Sequence, residues 1–144
     1  MFVFKVREVN ILDGPQIKQL SEQLGYRVSE AGVRNRLEYL IKDNYNMIYV
    51  AEVDNKVVGW IHISLYRSLV SEEKATVLGL VVDRTFLRQG IGRELMRWGE
   101  RWAKNCGCNG IMLKTNSIRE DAHSFYKGIG YENVKSQYVF TKQF

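Results

Sequence analysis

Apolar and polar positions along the chain change period several times, and each change predicts an element. Over residues 2–9 they alternate as in a strand. Asp13-Gly14-Pro15 then offers a helix N-cap with a proline in the first turn, and Ile17, Leu20 and Leu24 follow at helical spacing before Gly25. Ser29 can cap a second helix with a stripe of Val33, Leu37, Leu40 and Ile41. Residues 47–53 and 56–66 read as strands joined through Asp54-Asn55, a turn suited to an antiparallel hairpin. Over residues 75–82 the run is nearly all apolar (Val77, Leu78, Leu80, Val81, Val82), the pattern of a strand covered on both faces. A helix over residues 90–105 carries Ile91, Leu95, Trp98 and Trp102 on one side and stops at Gly107. Residues 110–114 form a short strand, residues 119–127 a helix ended by Gly128 and Gly130, and residues 131–140 a last β-prone stretch.

The order β-α-α-β-β-β-α-β-α-β combines hairpins with one crossover helix. It predicts an α/β (α+β) fold, a mixed central sheet of about six to seven strands flanked by about four helices. No repeat, linker or low-complexity segment interrupts it, and the length suits a single domain over residues 1–144.

Composition changes this picture little: 45% apolar and 26% charged residues are ordinary for a globular protein. No apolar run is long enough to span a bilayer and the first residues lack a signal-peptide pattern, so a cytoplasmic location and no membrane partner are expected. The net charge of +5 is spread from Lys5 to Lys142 without aromatic interleaving, which speaks against nucleic acid but suits an anionic ligand. Cys106-Gly107-Cys108 is too tight for an ordinary disulfide and lacks the second ligand pair of a zinc site, so no metal is expected.

Candidate chemistry concentrates at Gly90-Ile91-Gly92-Arg93, where an apolar strand gives way to a helix. Free amides at a helix start, with the positive end of its dipole, bind anions. Glycines let phosphate oxygens approach the main chain, and Arg88 and Arg93 can add charge-assisted hydrogen bonds. A nucleotide-hydrolysing P-loop is excluded because Arg93-Glu94, not Lys-Ser/Thr, follows Gly92. A dinucleotide-binding domain is the weaker third reading, because Leu95 stands where the fingerprint's third glycine belongs.

The wider pattern is more specific: apolar strand, Val82-Asp83, a short loop, Gln89-Gly90-Ile91-Gly92, amphipathic helix. It resembles the pyrophosphate motif of the GCN5-related N-acetyltransferases (GNAT). Downstream, Arg119-Glu120-Asp121-Ala122-His123-Ser124-Phe125-Tyr126, followed by Gly130-Tyr131, is similar to that family's second motif. Upstream, Tyr49-Val50-Ala51-Glu52 and Val57-Val58-Gly59-Trp60 resemble its central hairpin.

The resemblance implies acetyl transfer from acetyl-coenzyme A directly to a primary amine of a small molecule of aminoglycoside, polyamine or amino-acid type. A protein or peptide amine, or a non-catalytic acyl-coenzyme A-binding module, is the alternative, and a homodimer is the family's common state. It implies that main chain at Leu80, Val81 and Val82 lies along pantetheine, with a strand amide (Val81) as oxyanion donor. Pyrophosphate would rest on Leu87, Arg88, Gln89, Gly90, Ile91, Gly92 and Arg93, although Leu87 replaces the usual Arg or Gln. Asn116 and Ser124 are further cofactor candidates.

The reaction needs a base for an ammonium group of pKa roughly 10 and an acid for the departing thiolate. Tyr126 matches the family's acid. The family's strand glutamate is replaced by Thr76, leaving Glu72, Glu73, His62 or a water relay as base candidates. His123 is expected to tie its helix to the neighbouring strand or to Arg119, and Trp60, Trp98 and Trp102 to pack.

Overall fold

A computed structural model describes residues 3–144, so Phe2, the first residue of the strand expected at 2–9, lies outside the described residues. Five strands share one sheet in chain order: β1 (Lys5–Glu8), β2 (Asn46–Val53), β3 (Lys56–Tyr66), β4 (Lys74–Val82) and β5 (Ile111–Leu113). The pairings β1–β2, β2–β3 and β3–β4 are antiparallel, and β5 joins β4 in parallel. The helices are α1 (Gly14–Gln23), α2 (Glu30–Leu40), α3 (Ile91–Asn105) and α4 (Glu120–Gly128).

This is the mixed architecture that the periodicity predicts, with five strands rather than six to seven among the described residues. The missing strand is the last one. Residues 131–140 form no ladder, and Val134, Tyr138, Val139 and Phe140 are exposed. Their β-propensity reflects fit to a half-buried pleated surface, and without that surface it stabilises nothing.

The chain divides into two compact units, residues 1–113 and 114–144. In the first, α1 and α2 cover one sheet face: Ile17, Leu20, Val33 and Leu37 pack on Ile48, Val50, Val57 and Val81. α3 covers the other face, where glycines let helix and sheet approach closely. A Cβ on Gly59 would come within 3.3 Å of both Ile91 Cγ2 and Leu95 Cδ1, and one on Gly99 would collide with Ile63 Cδ1.

Local rules explain most boundaries. Ser29 Oγ accepts from the Gly32 amide at 2.9 Å, capping α2. Asp54 and Asn55 both take positive φ (48° and 64°), as a two-residue hairpin turn requires. Asp13 is different. It occupies the N-cap position of α1 without capping it, because Arg7 holds its carboxylate in a bidentate pair at 2.8 and 2.9 Å. Arg7 Nε also donates to Glu52 Oε2 at 2.8 Å, so one guanidinium ties β1 to β2 and to the start of α1.

The second unit contains α4. Its His123 Nε2 lies 3.0 Å from the Asn116 carbonyl oxygen, fastening the helix to the turn before it. Phe125 and Tyr126 meet edge to face with centroids 5.1 Å apart, and Tyr131 lies 6.0 Å from Tyr126.

Candidate active site

The site is organised by an irregularity in β4. Its register against β3 runs from Gly59↔Val82 to His62↔Gly79, then resumes at Ile63↔Val77. Leu78 is therefore the extra residue of a β-bulge. Its side chain is 56% exposed, so the run 75–82 is not covered on both faces as its composition predicts.

Backbone polar groups in an antiparallel strand alternate between neighbours. Before the bulge, the Ala75 amide donates to the Gly110 carbonyl at 3.0 Å, towards β5. After it, the Asp83 amide donates to the Val58 carbonyl at 2.8 Å, towards β3. Steps of two from Asp83 turn Val81 and Gly79 towards β3, and Leu80 and Val82 the other way. On that other side β5 pairs only with Ala75, Thr76 and Val77. The N–H and C=O of Leu80 and Val82 thus meet no strand among the described residues. Val81, expected from the resemblance to offer its amide, instead spends its backbone on β3 and buries its side chain under α1 and α2. Counting by twos from Ala75 would have aimed Val81 at the gap; the bulge shifts the count by one.

The open edge runs into the glycine turn. Asp83 accepts from the Thr85 amide and hydroxyl, both at 3.0 Å, holding the single 3-10 turn Arg84–Phe86. Arg88 (φ 61°) and Gly90 (φ 86°) are then left-handed, which reverses the chain into α3. No side chain caps α3, so the amides of Ile91, Gly92 and Arg93 have no helical acceptor. Leu87, Arg88, Gln89, Gly90 and Arg93 are exposed. First-turn amides without a helical acceptor, two flanking guanidinium groups and the positive end of a 15-residue helix suit a pyrophosphate.

The proton-transfer candidates separate. His62 is half-buried on β3, directly across from Gly79 at the bulge. Burial pushes its imidazole pKa below the ordinary 6.5, so the ring is neutral near pH 7 and able to accept a proton. The Trp60 indole packs over Gly79, where a Cβ would fall 2.6 Å from Cη2. Its Nε1 is buried without a hydrogen-bond partner among the described residues.

Glu72 and Glu73 lie at the other end of β4, and the strand's nine residues, roughly 30 Å at 3.3–3.4 Å each, separate them from the glycine turn. Glu73 is gripped by Arg67 at 3.0 and 3.1 Å, and Glu72 accepts from Asn109 at 2.9 Å. The register therefore places His62 across from Gly79, next to Leu80 on β4, while Glu72 and Glu73 precede the strand at its other end. Tyr126, Asn116 and Ser124 belong to the unit 114–144. Asn116 Oδ1 already accepts from the Ile118 amide at 3.1 Å, and Ser124 is exposed.

Sequence reasoning missed Asn46, whose Oδ1 lies 2.8 Å from His62 Nε2. The two are 16 residues apart, and only the β2–β3 register reveals their proximity.

Comparison with known proteins bears on the family and the fold. The family model "Acetyltransferase (GNAT) family" matches residues 16–131. Human N-acetyltransferase 8 is 26% identical over 95 residues, covering 65% of this chain and 42% of that protein. The aminoalkylphosphonate N-acetyltransferase of Salmonella typhimurium is 41% identical over 63 residues, covering 44% of this chain and 40% of that protein. The chain thus spans about two fifths of each of these relatives. Among solved structures, an aminoglycoside N-acetyltransferase in complex with coenzyme A superposes with a TM-score of 0.91 at 18% identity, covering 99% of this chain and 97% of the other. No helix among the described residues is long and apolar enough to cross a membrane.

Proposed function

The chain belongs to the acetyltransferase (GNAT) family, and from that membership we propose that it transfers an acetyl group from acetyl-coenzyme A directly to a primary amine of a small molecule. One observation carries the reading: the main-chain groups of Leu80 and Val82 face a side of β4 where no strand among the described residues pairs with them, and the same strand leads through a short turn to the uncapped start of α3. Pantetheine amides fit the strand portion and a pyrophosphate the helix portion. Acetyl-coenzyme A, when bound, supplies the acyl group as an activated thioester.

The chain's own residues do the rest. His62, across from the bulge, takes the proton that an incoming ammonium must lose. An amide of Leu80 or Val82 stabilises the negative charge that develops on the carbonyl oxygen. The Tyr126 hydroxyl, matched by motif, gives its proton to the departing thiolate and is restored by the second proton that the amine nitrogen loses as the amide forms. Glu72 and Glu73 are set aside as bases because Asn109 and Arg67 occupy them at the far end of β4.

Small-amine acceptors are supported by the names of similar proteins, one acting on aminoalkylphosphonates and one on aminoglycosides. A cytoplasmic homodimer belongs to the same reading.

The test is a turnover screen with acetyl-coenzyme A over aminoalkylphosphonates, aminoglycosides, polyamines and peptides, with calorimetric titration of coenzyme A beside it. The expected result is micromolar-range binding and turnover of at least one small amine. Tyr126→Phe should bind coenzyme A normally and turn over about 10²–10⁴-fold more slowly. Binding without turnover on any amine would instead identify a non-catalytic acyl-coenzyme A module, and absence of binding would sink both readings.

A further inference from the structure

The hydrogen bonds around His62 form a directed chain. Asp43 closes the turn before β2: its Oδ1 accepts from the Tyr45 amide at 2.9 Å, and its carbonyl accepts from the Asn46 amide at 3.0 Å. Its second carboxylate oxygen, Oδ2, lies 3.0 Å from Asn46 Nδ2. A carboxylate only accepts, so the Asn46 amide must present its NH₂ to Asp43 and its Oδ1 to His62. That oxygen in turn only accepts, so His62 Nε2, 2.8 Å away, must carry the hydrogen. A neutral imidazole has one N–H, which leaves Nδ1 with the lone pair, and Nδ1 has no hydrogen bond among the described residues.

We propose that Asn46, oriented by Asp43, is the positioning residue that fixes His62 with its proton on Nε2 and reserves Nδ1 as the proton acceptor of the site. The inference rests on the acetyl-transfer reading for the use of that lone pair, but not for its existence. Among the described residues the surroundings leave the tautomer to Asn46. Its cross-strand partners are Ile48 on β2 and Gly79 on β4, and no charged side chain among the described residues acts on His62. When an amine transfers its proton, the N–H bond of the ammonium breaks and an N–H bond forms at Nδ1. The resulting imidazolium keeps its Nε2–H bond to Asn46, and the proton leaves to solvent after release of the product.

The test reads the tautomer directly by long-range ¹H–¹⁵N correlation. The chain has two histidines, so a His123→Gln variant assigns both imidazoles. Wild type should show the Nε2–H pattern at neutral pH. Asn46→Ala should populate both tautomers and lower kcat about tenfold or more, with KM for acetyl-coenzyme A within about twofold. Asn46→Asp retains an acceptor oxygen. It should preserve the Nε2–H pattern and move the acid limb of the kcat/KM profile to higher pH, because a carboxylate stabilises the imidazolium. An Nδ1–H pattern in wild type overturns the proposal, as does an Asn46→Ala variant with unchanged tautomer and kcat. If the Nε2–H pattern depends on Asn46 but no amine is acetylated, the base role falls together with the acetyl-transfer reading, and only the hydrogen bond stands.

Discussion

His62 and Gly79 face each other across β3 and β4, and each makes a prediction. Burial lowers the His62 pKa in the folded chain, so between that value and about 6.5 the unfolded chain binds more protons. Stability therefore rises with pH through this window and is lost as pH falls below about 6.5. Melting temperatures of wild type and His62→Gln between pH 7.5 and 5 should diverge, with wild type falling more steeply; parallel curves would contradict the assignment. Gly79→Ala places a methyl group 2.6 Å from Trp60 Cη2 and 2.7 Å from Cζ3. The indole must shift, at a cost of about 1–3 kcal/mol, measurable by urea denaturation and by a change in tryptophan emission.

At the scale of elements, the tie between β1, β2 and α1 depends on Arg7. Asp13 is only 6% exposed. Burial alone would raise its pKa, but the Arg7 hydrogen bonds, the Asn10 amide and the Arg7 charge together hold it below the usual 3.8. Arg7→Ala strands that carboxylate and should cost about 2–3 kcal/mol, discounted for the partial exposure of Arg7. The wild-type advantage should be full near neutral pH and fade as falling pH protonates Asp13, first in the variant, whose buried carboxylate has lost Arg7, and last in wild type; an undiminished gap at pH 2 would refute the pairing. Gly90 sets the other junction. Its φ of 86° leaves open space around a Cβ, so Gly90→Ala tests strain rather than crowding. A loss of about 1–2 kcal/mol, with weaker coenzyme A binding by calorimetry, is expected.

Across the whole chain, what was legible in the sequence was local. Ser29, the Asp54-Asn55 turn and the Ile91/Leu95 stripe follow rules that act within a few residues, and all appear where expected. The conformation of the glycine turn was legible for the same reason: Gly90 takes a positive φ and α3 starts at Ile91, one residue from where the pattern begins it. Features that depend on a partner strand were not. Residues 131–140 have strand composition and form no ladder among the described residues. Glu72 and Glu73 are near Thr76 in sequence yet belong to the opposite end of β4 from the glycine turn. His62 was visible only as one candidate among several, because the Asn46 contact depends on register between two strands.

Leu78 shows what such a feature means for variation. Its exposed side chain touches little, so Leu78→Ser should leave folding and coenzyme A binding nearly intact. Deleting the residue would make β4 an unbroken strand in step with β3, with no local kink to direct it away from β5. Coenzyme A affinity should then collapse while far-ultraviolet circular dichroism stays native. The information at this position is a count rather than an identity. Among related chains it should behave as a column that accepts many residue types and no gap.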